Sequence, residues 1–74
     1  MTVYVRVQLS EDGVAEPTGP VEKVDMRAHA SELLYGDAAY LHGLAKEQWP
    51  ELNWRIEAVR TRKFIVKGDP KLRK

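Results

Sequence analysis

The sequence predicts a small α+β domain: an antiparallel sheet of three to four strands with one helix packed on one face, in the order β-β-α-β with a final short β. Three observations predict it. Residues 2–9 and 52–58 alternate apolar with polar side chains, the period of a half-buried strand. Residues 31–48 change to a helical period. The chain has 74 residues and no cysteine, so it must hold itself together with one core and no disulfide. One sheet face and one helix stripe are the only core such a chain can build.

The first strand is the clearest. Val3, Val5, Val7 and Leu9 fall on one face and Tyr4, Arg6 and Gln8 on the other, so the second group is expected to face solvent. Ser10 to Pro20 holds two glycines, two prolines and three acids and reads as a loop. A second strand is expected over Val21 to Ala28, with Val24 and Met26 on its apolar side, pairing with the first as a hairpin.

Ser31 suits the N-cap of the helix, and Glu32 lies in its first turn, where the helix dipole favours an anion. Leu34, Ala38, Leu41 and Ala45 then form the apolar stripe, widened by Ala30, Leu33 and Leu44. Gly36 and Gly43 each weaken this helix by ~1 kcal/mol relative to alanine, so packing must hold it. Gly36 also suggests a bend or a close approach to the sheet. Pro50 ends the helix, because the residue before a proline disfavours helical dihedrals.

Leu52, Trp54, Ile56 and Ala58 form the third strand. At Val59 the alternation slips, which reads either as a bulge in a strand that runs on or as a turn near Thr61 with a short return over Phe64 to Val66. The turn is the preferred reading. Residues 1–68 thus form a single domain, and 69–74 a basic C-terminal tail.

The charges are sorted by position. Residues 1–50 carry four cations against eight anions, a balance of −4, whereas residues 51–74 carry eight cations against three anions, a balance of +5. The net charge of +1 therefore hides a dipolar chain, a pattern that points to a charged partner. The cations of the second half are Arg55, Arg60, Arg62, Lys63, Lys67, Lys71, Arg73 and Lys74. They suit a solvated edge strand and tail that discourage aggregation, or a surface that docks on acids or phosphates. If the chain stays extended, Arg60 and Arg62 share a face and can act as a forked pair for carboxylates. Trp54 has core parity, and Trp49, at the helix exit, is placed for partial exposure beside the basic strand, where an indole makes a binding hot spot. The candidate partner-binding set is Arg55, Arg60, Arg62, Lys63 and Trp49.

No catalytic constellation is visible, so the chain reads as a non-enzyme. His29 and His42 are its two histidines. Ser31, the best-placed hydroxyl, already has a capping role, and Glu11-Asp12 sits on a loop that would not fix it for acid–base work. No glycine-rich phosphate loop appears, and without cysteine neither a zinc site of the usual kind nor any other metal site or cofactor is expected. No apolar run reaches the ~18 residues of a spanning helix and no secretory leader is visible, so a cytoplasmic protein with no membrane partner is expected. The isoelectric point of 8.1 lies below the ~9 usual for dedicated phosphate binders, and Tyr4, Tyr35 and Tyr40 do not interleave with the cations. A protein partner with an acidic surface suits the dipole better than nucleic acid, which stays as the alternative through the C-terminal basic cluster. The chain itself is expected to be a monomer or a weak homodimer.

Taken in order, Val24–Ala28, Ser31-Glu32-Leu33-Leu34, Trp49-Pro50 and Trp54-Arg55-Ile56-Glu57-Ala58-Val59-Arg60 are similar to a type of small bacteriophage protein. The pattern most resembles the compact inhibitors of bacterial RNA polymerase made by podoviruses, over roughly residues 20–60. The resemblance implies two strands, one helix and a returning strand that carries functional arginines, with an acidic stretch elsewhere. It implies a helix longer here by about seven residues, two turns that keep the same face inward. Arg60 matches one of the family's functional arginine positions; its partner position holds Ala58, for which Arg62 is the substitute. The target it implies is a bacterial host protein such as RNA polymerase.

Overall fold

Alternating valines make the first strand, and the computed structural model, which describes residues 2–22 and 32–71, places it at Val3–Leu9 (β1). It is followed by β2 (Ala15–Glu22), a helix α1 (Tyr35–Gln48), β3 (Leu52–Arg60) and β4 (Lys63–Pro70). The four strands form one antiparallel sheet in the order β2-β1-β4-β3, with α1 on one face. Val3, Val5, Leu33, Ala38, Leu41, Ala45, Trp54 and Val66 make the core beneath the helix, with Val7, Ile56 and Phe64 packed at its edge.

The segment read as a loop is mostly strand. β2 starts at Ala15 and pairs with β1 from Leu9↔Ala15 to Val3↔Glu22. Its prolines give it the composition of a loop, because proline cannot donate to a ladder; at the edge of a sheet that loss is tolerated, and it blunts the edge against further pairing. Thr18 is the extra residue of a bulge between Arg6↔Gly19 and Val7↔Pro17, and its hydroxyl donates to the Arg6 carbonyl at 3.3 Å. The true loop is Ser10–Val14. The Ser10 amide donates to the Val14 carbonyl (2.9 Å), and Gly13 takes a positive φ of 76° that favours glycine. Of the strand expected over Val21 to Ala28, Val21 and Glu22 close β2, and the remainder lies outside the described residues.

β1 is buried on both faces at its start. Tyr4, expected in solvent, is only 2% exposed and shares with Val21 and Ile65 the sheet face away from α1. Alternation sorts side chains between two faces but does not say which face is covered, so period two does not guarantee a wet face.

The helix begins later than the sequence suggests. The Ser31 cap lies outside the described residues. Leu34 holds the capping position of α1 with extended dihedrals and no side-chain cap. Leu34 is therefore 56% exposed instead of joining the stripe, and Leu33 is buried in its place. Ala38, Leu41 and Ala45 form the buried stripe as expected. Gly36 makes no close approach; that role falls to Gly68, where an added Cβ would meet the Trp54 indole at 2.8 Å.

Both readings of Val59 hold in part. Val59 is a bulge residue between Ala58↔Phe64 and Arg60↔Lys63, and Thr61-Arg62 then turn the chain. No glycine marks the turn because Arg62 itself takes the left-handed conformation, at φ 62°. The return strand runs well past Val66 to Pro70, so Asp69 and Pro70 belong to the sheet and not to a tail.

Candidate interaction surface

The cations of the second half are divided by the sheet into separate groups. Arg55 pairs across the ladder with Lys67, on the face away from α1. There Arg55 Nη2 lies 3.2 Å from Asp69 Oδ2, and Lys67 Nζ lies 3.1 Å from Glu57 Oε2. Asp69 also accepts from the Thr2 hydroxyl at 2.8 Å. Arg55 and Lys67 are thus each matched by an acid. Such partly exposed pairs contribute about 0–1 kcal/mol each to stability.

The second group is the β3–β4 turn. Arg60, Arg62 and Lys63 follow one another with only Thr61 between them, and no acid occurs from Ala58 to Gly68. Arg60 Nε contacts Glu32 Oε1 at 3.2 Å, and the Arg60 side chain remains largely open to water while that of Glu32 is partly covered. Among the described residues, no ion pair engages Arg62 or Lys63. The expected fork of Arg60 and Arg62 required an extended chain; Arg62 sits in the turn instead, so the two do not share a strand face. A tight turn held by a ladder still places the three cations on a fixed scaffold, which lowers the ordering cost of binding.

Trp49 belongs elsewhere. It caps the C-terminal end of α1, next to the start of β3, whereas the basic turn closes the far end of that nine-residue strand. At ~3.4 Å per residue that is about 30 Å away. Trp49 is half-buried against Trp54, with ring centroids 6.1 Å apart, and its carbonyl accepts the Trp54 Nε1–H at 2.8 Å. The predicted set of Arg55, Arg60, Arg62, Lys63 and Trp49 is therefore spread over three places, and only Arg60, Arg62 and Lys63 are contiguous. Beside the two indoles, an open depression of about 290 Å³ is lined by Lys46, Pro50, Leu52, Asn53, Trp54 and Lys71.

His42 has a packing role. It projects from α1 so that its Nε2–H donates to the Trp54 carbonyl at 2.6 Å, which covers part of the open edge of β3. Since a carbonyl only accepts, the proton must sit on Nε2. His29 lies outside the described residues. Among the described residues, no group of three or more His, Cys, Asp or Glu side chains is placed to hold a metal ion, and no helix is long and apolar enough to cross a membrane.

One neighbour of the basic turn was not legible in the sequence. Because β1 runs antiparallel to β4, the Ser10–Val14 loop projects from the same end of the sheet as the Thr61-Arg62 turn. That loop and the start of β2 carry Glu11, Asp12 and Glu16, with no cation from Val7 to Glu22. With residues 15–20 expected as loop, Glu16 is not placed on a strand and the acids are not confined to one short hairpin end. Compared with protein-family models, with curated proteins and with solved structures, the chain matches none.

Proposed function

We propose that this protein is a non-enzymatic binding module that docks on an acidic patch of a partner protein through the β3–β4 turn. The observation that carries the reading is the contrast among its cations. Arg55 and Lys67 are matched by acids on the sheet, whereas Arg62 and Lys63 meet none among the described residues. The resemblance to small phage inhibitors, which places a functional arginine at Arg60, supports a phage-type inhibitor or adaptor acting on a bacterial host protein such as RNA polymerase, in the host cytoplasm. The acidic hairpin alongside favours a partner whose own charge is patchy over one that is uniformly anionic, as nucleic acid is.

The test is capture from bacterial lysate by the wild type and by a variant with Arg60→Glu and Arg62→Glu. A partner retained by the first and lost by the second supports the reading. Salt-steep, micromolar binding of random DNA or RNA, falling with a log–log slope near −0.7 to −0.9 per neutralised phosphate, would replace it with the nucleic-acid reading.

A further inference from the structure

We infer that the forked end of the sheet is self-complementary and that a second copy of this chain docks there about a two-fold axis, the acidic hairpin of each copy on the basic turn of the other. The topology sets up the fork. β1 and β4 pair only at Val3↔Gly68 and Tyr4↔Lys67. Further along, the lane beside β4 is taken by Leu33, which exchanges two backbone hydrogen bonds with Phe64, at 2.9 and 2.8 Å. β1 therefore cannot follow β4 to its turn. The two hairpin ends leave the sheet as separate prongs on the same side of the molecule.

The prongs carry equal and opposite charge. Past Arg6, one bears Glu11, Asp12 and Glu16 and no cation; past Glu57, which pairs with Lys67, the other bears Arg60, Arg62 and Lys63 and no anion. Among the described residues, no ion pair joins them; Arg60 instead reaches Glu32. A two-fold interface requires a patch that complements itself, because each contact from one copy to the other is repeated in reverse. Adjacent patches of opposite sign meet that requirement, and each acid-to-base contact then occurs twice. A purely acidic partner would satisfy the basic prong and be repelled by the other, which is why the occupant is a second copy.

Exposed apolar side chains lie at the same end. Leu9 (66% exposed) and Val14 (42%) flank the acidic loop, and Tyr35 (60%) stacks edge-on against Phe64 at 5.2 Å near the basic turn. They provide a water-excluding centre for the charges to surround, the anatomy of a specific interface. The partner of the proposed function would compete with this second copy for Arg62 and Lys63, yet the two claims separate cleanly, since self-association is measured on purified protein alone.

The experiment is sedimentation equilibrium of the purified chain at low ionic strength, with two charge-reversed variants, Glu11→Lys with Asp12→Lys and Arg62→Glu with Lys63→Glu. Circular dichroism confirms that each is folded. The wild type should show a monomer–dimer equilibrium that weakens as salt screens the prongs. Each variant alone should dimerise at least about tenfold more weakly, which corresponds to about 1.4 kcal/mol. Mixed in equal amounts, the two variants should recover wild-type association, because each reversed prong then faces an opposite charge in both halves of the heterodimer. A wild type that stays monomeric to about 1 mM, where binding would be no stronger than about −4 kcal/mol, overturns the inference. So does either variant that dimerises as the wild type does, or a mixture of folded variants that fails to recover.

Discussion

The β1–β2 hairpin turns through five residues, Ser10–Val14, and is bent by a bulge at Thr18, with prolines along its outer edge. The β3–β4 hairpin turns through two, Thr61 and Arg62, after a bulge at Val59; each hairpin places one strand at the edge of the sheet and one in its middle. The first is acidic at its end and the second basic. Both are closed by a residue with positive φ, but the acidic hairpin uses Gly13 where the basic one uses Arg62. A left-handed conformation costs a side-chain-bearing residue roughly 1–2 kcal/mol more than glycine. The basic turn thus keeps a cation at a position that backbone energetics would give to glycine, which is the kind of local conflict expected at a functional site.

The two hairpins share one helix, so the most damaging change should strike both. Leu41 is fully buried in the stripe of α1, and α1 packs on β2, β3 and β4. Leu41→Ala should destabilise the domain by ~2–5 kcal/mol in urea or thermal unfolding, with both hairpins lost in one transition. If the variant melts within a degree of the wild type, α1 does not tie the hairpins together.

The hairpins also meet at Gly68, which pairs with Val3 on one side and Trp54 on the other. Gly68→Ala would drive a methyl group into the Trp54 ring at 2.8 Å. A loss of ~1–3 kcal/mol is expected, together with a shift in tryptophan emission as the indole moves against Trp49. An unchanged emission spectrum would mean that the ring yields without cost.

The smallest effect sharpens the comparison between the turns. Arg62→Gly should relieve the left-handed strain of the basic turn, partly offset by the greater freedom glycine has in the unfolded chain. The net expected change is a stabilisation of about 0–1 kcal/mol, read as a higher urea midpoint. A marked destabilisation would show that Arg62 makes contacts that stabilise the turn.

The two hairpins also differ in how well the sequence announced them. β1 and β3 are legible because Val3, Val5 and Val7, and later Leu52, Trp54 and Ile56, alternate with polar residues over a full strand length. β2 is not, because Pro17, Gly19 and Pro20 carry the composition of a loop, and only its place at the sheet edge makes them acceptable in a strand. The helix end at Trp49-Pro50 was marked by proline chemistry, whereas its start was not, since Leu33 and Leu34 look alike until Leu33 pairs with Phe64. The candidate site followed the same division. The cations of the basic turn stand out by composition, but that Asp69 and Glu57 match Arg55 and Lys67 depends on cross-strand register. That Glu11 and Asp12 lie at the same end as Arg62 depends on strand order. Neither is written in local sequence.

The central claim is that the β3–β4 turn, and not the C-terminal end of the chain, engages the partner. Because Pro70 pairs with Leu52, the fair control is deletion of residues 71–74, which leaves the ladder intact. The measurement is a calorimetric or interferometric titration of the captured partner with wild type, Arg60→Ala, Arg62→Ala and the deletion. A desolvated arginine paired with a carboxylate costs ~2–5 kcal/mol when truncated, so each arginine variant should bind at least about tenfold more weakly while remaining folded. The deletion should change binding by less than about 1 kcal/mol. If the deletion abolishes binding and both arginine variants bind as the wild type does, the partner is held by the C-terminus and the account of the basic turn is wrong.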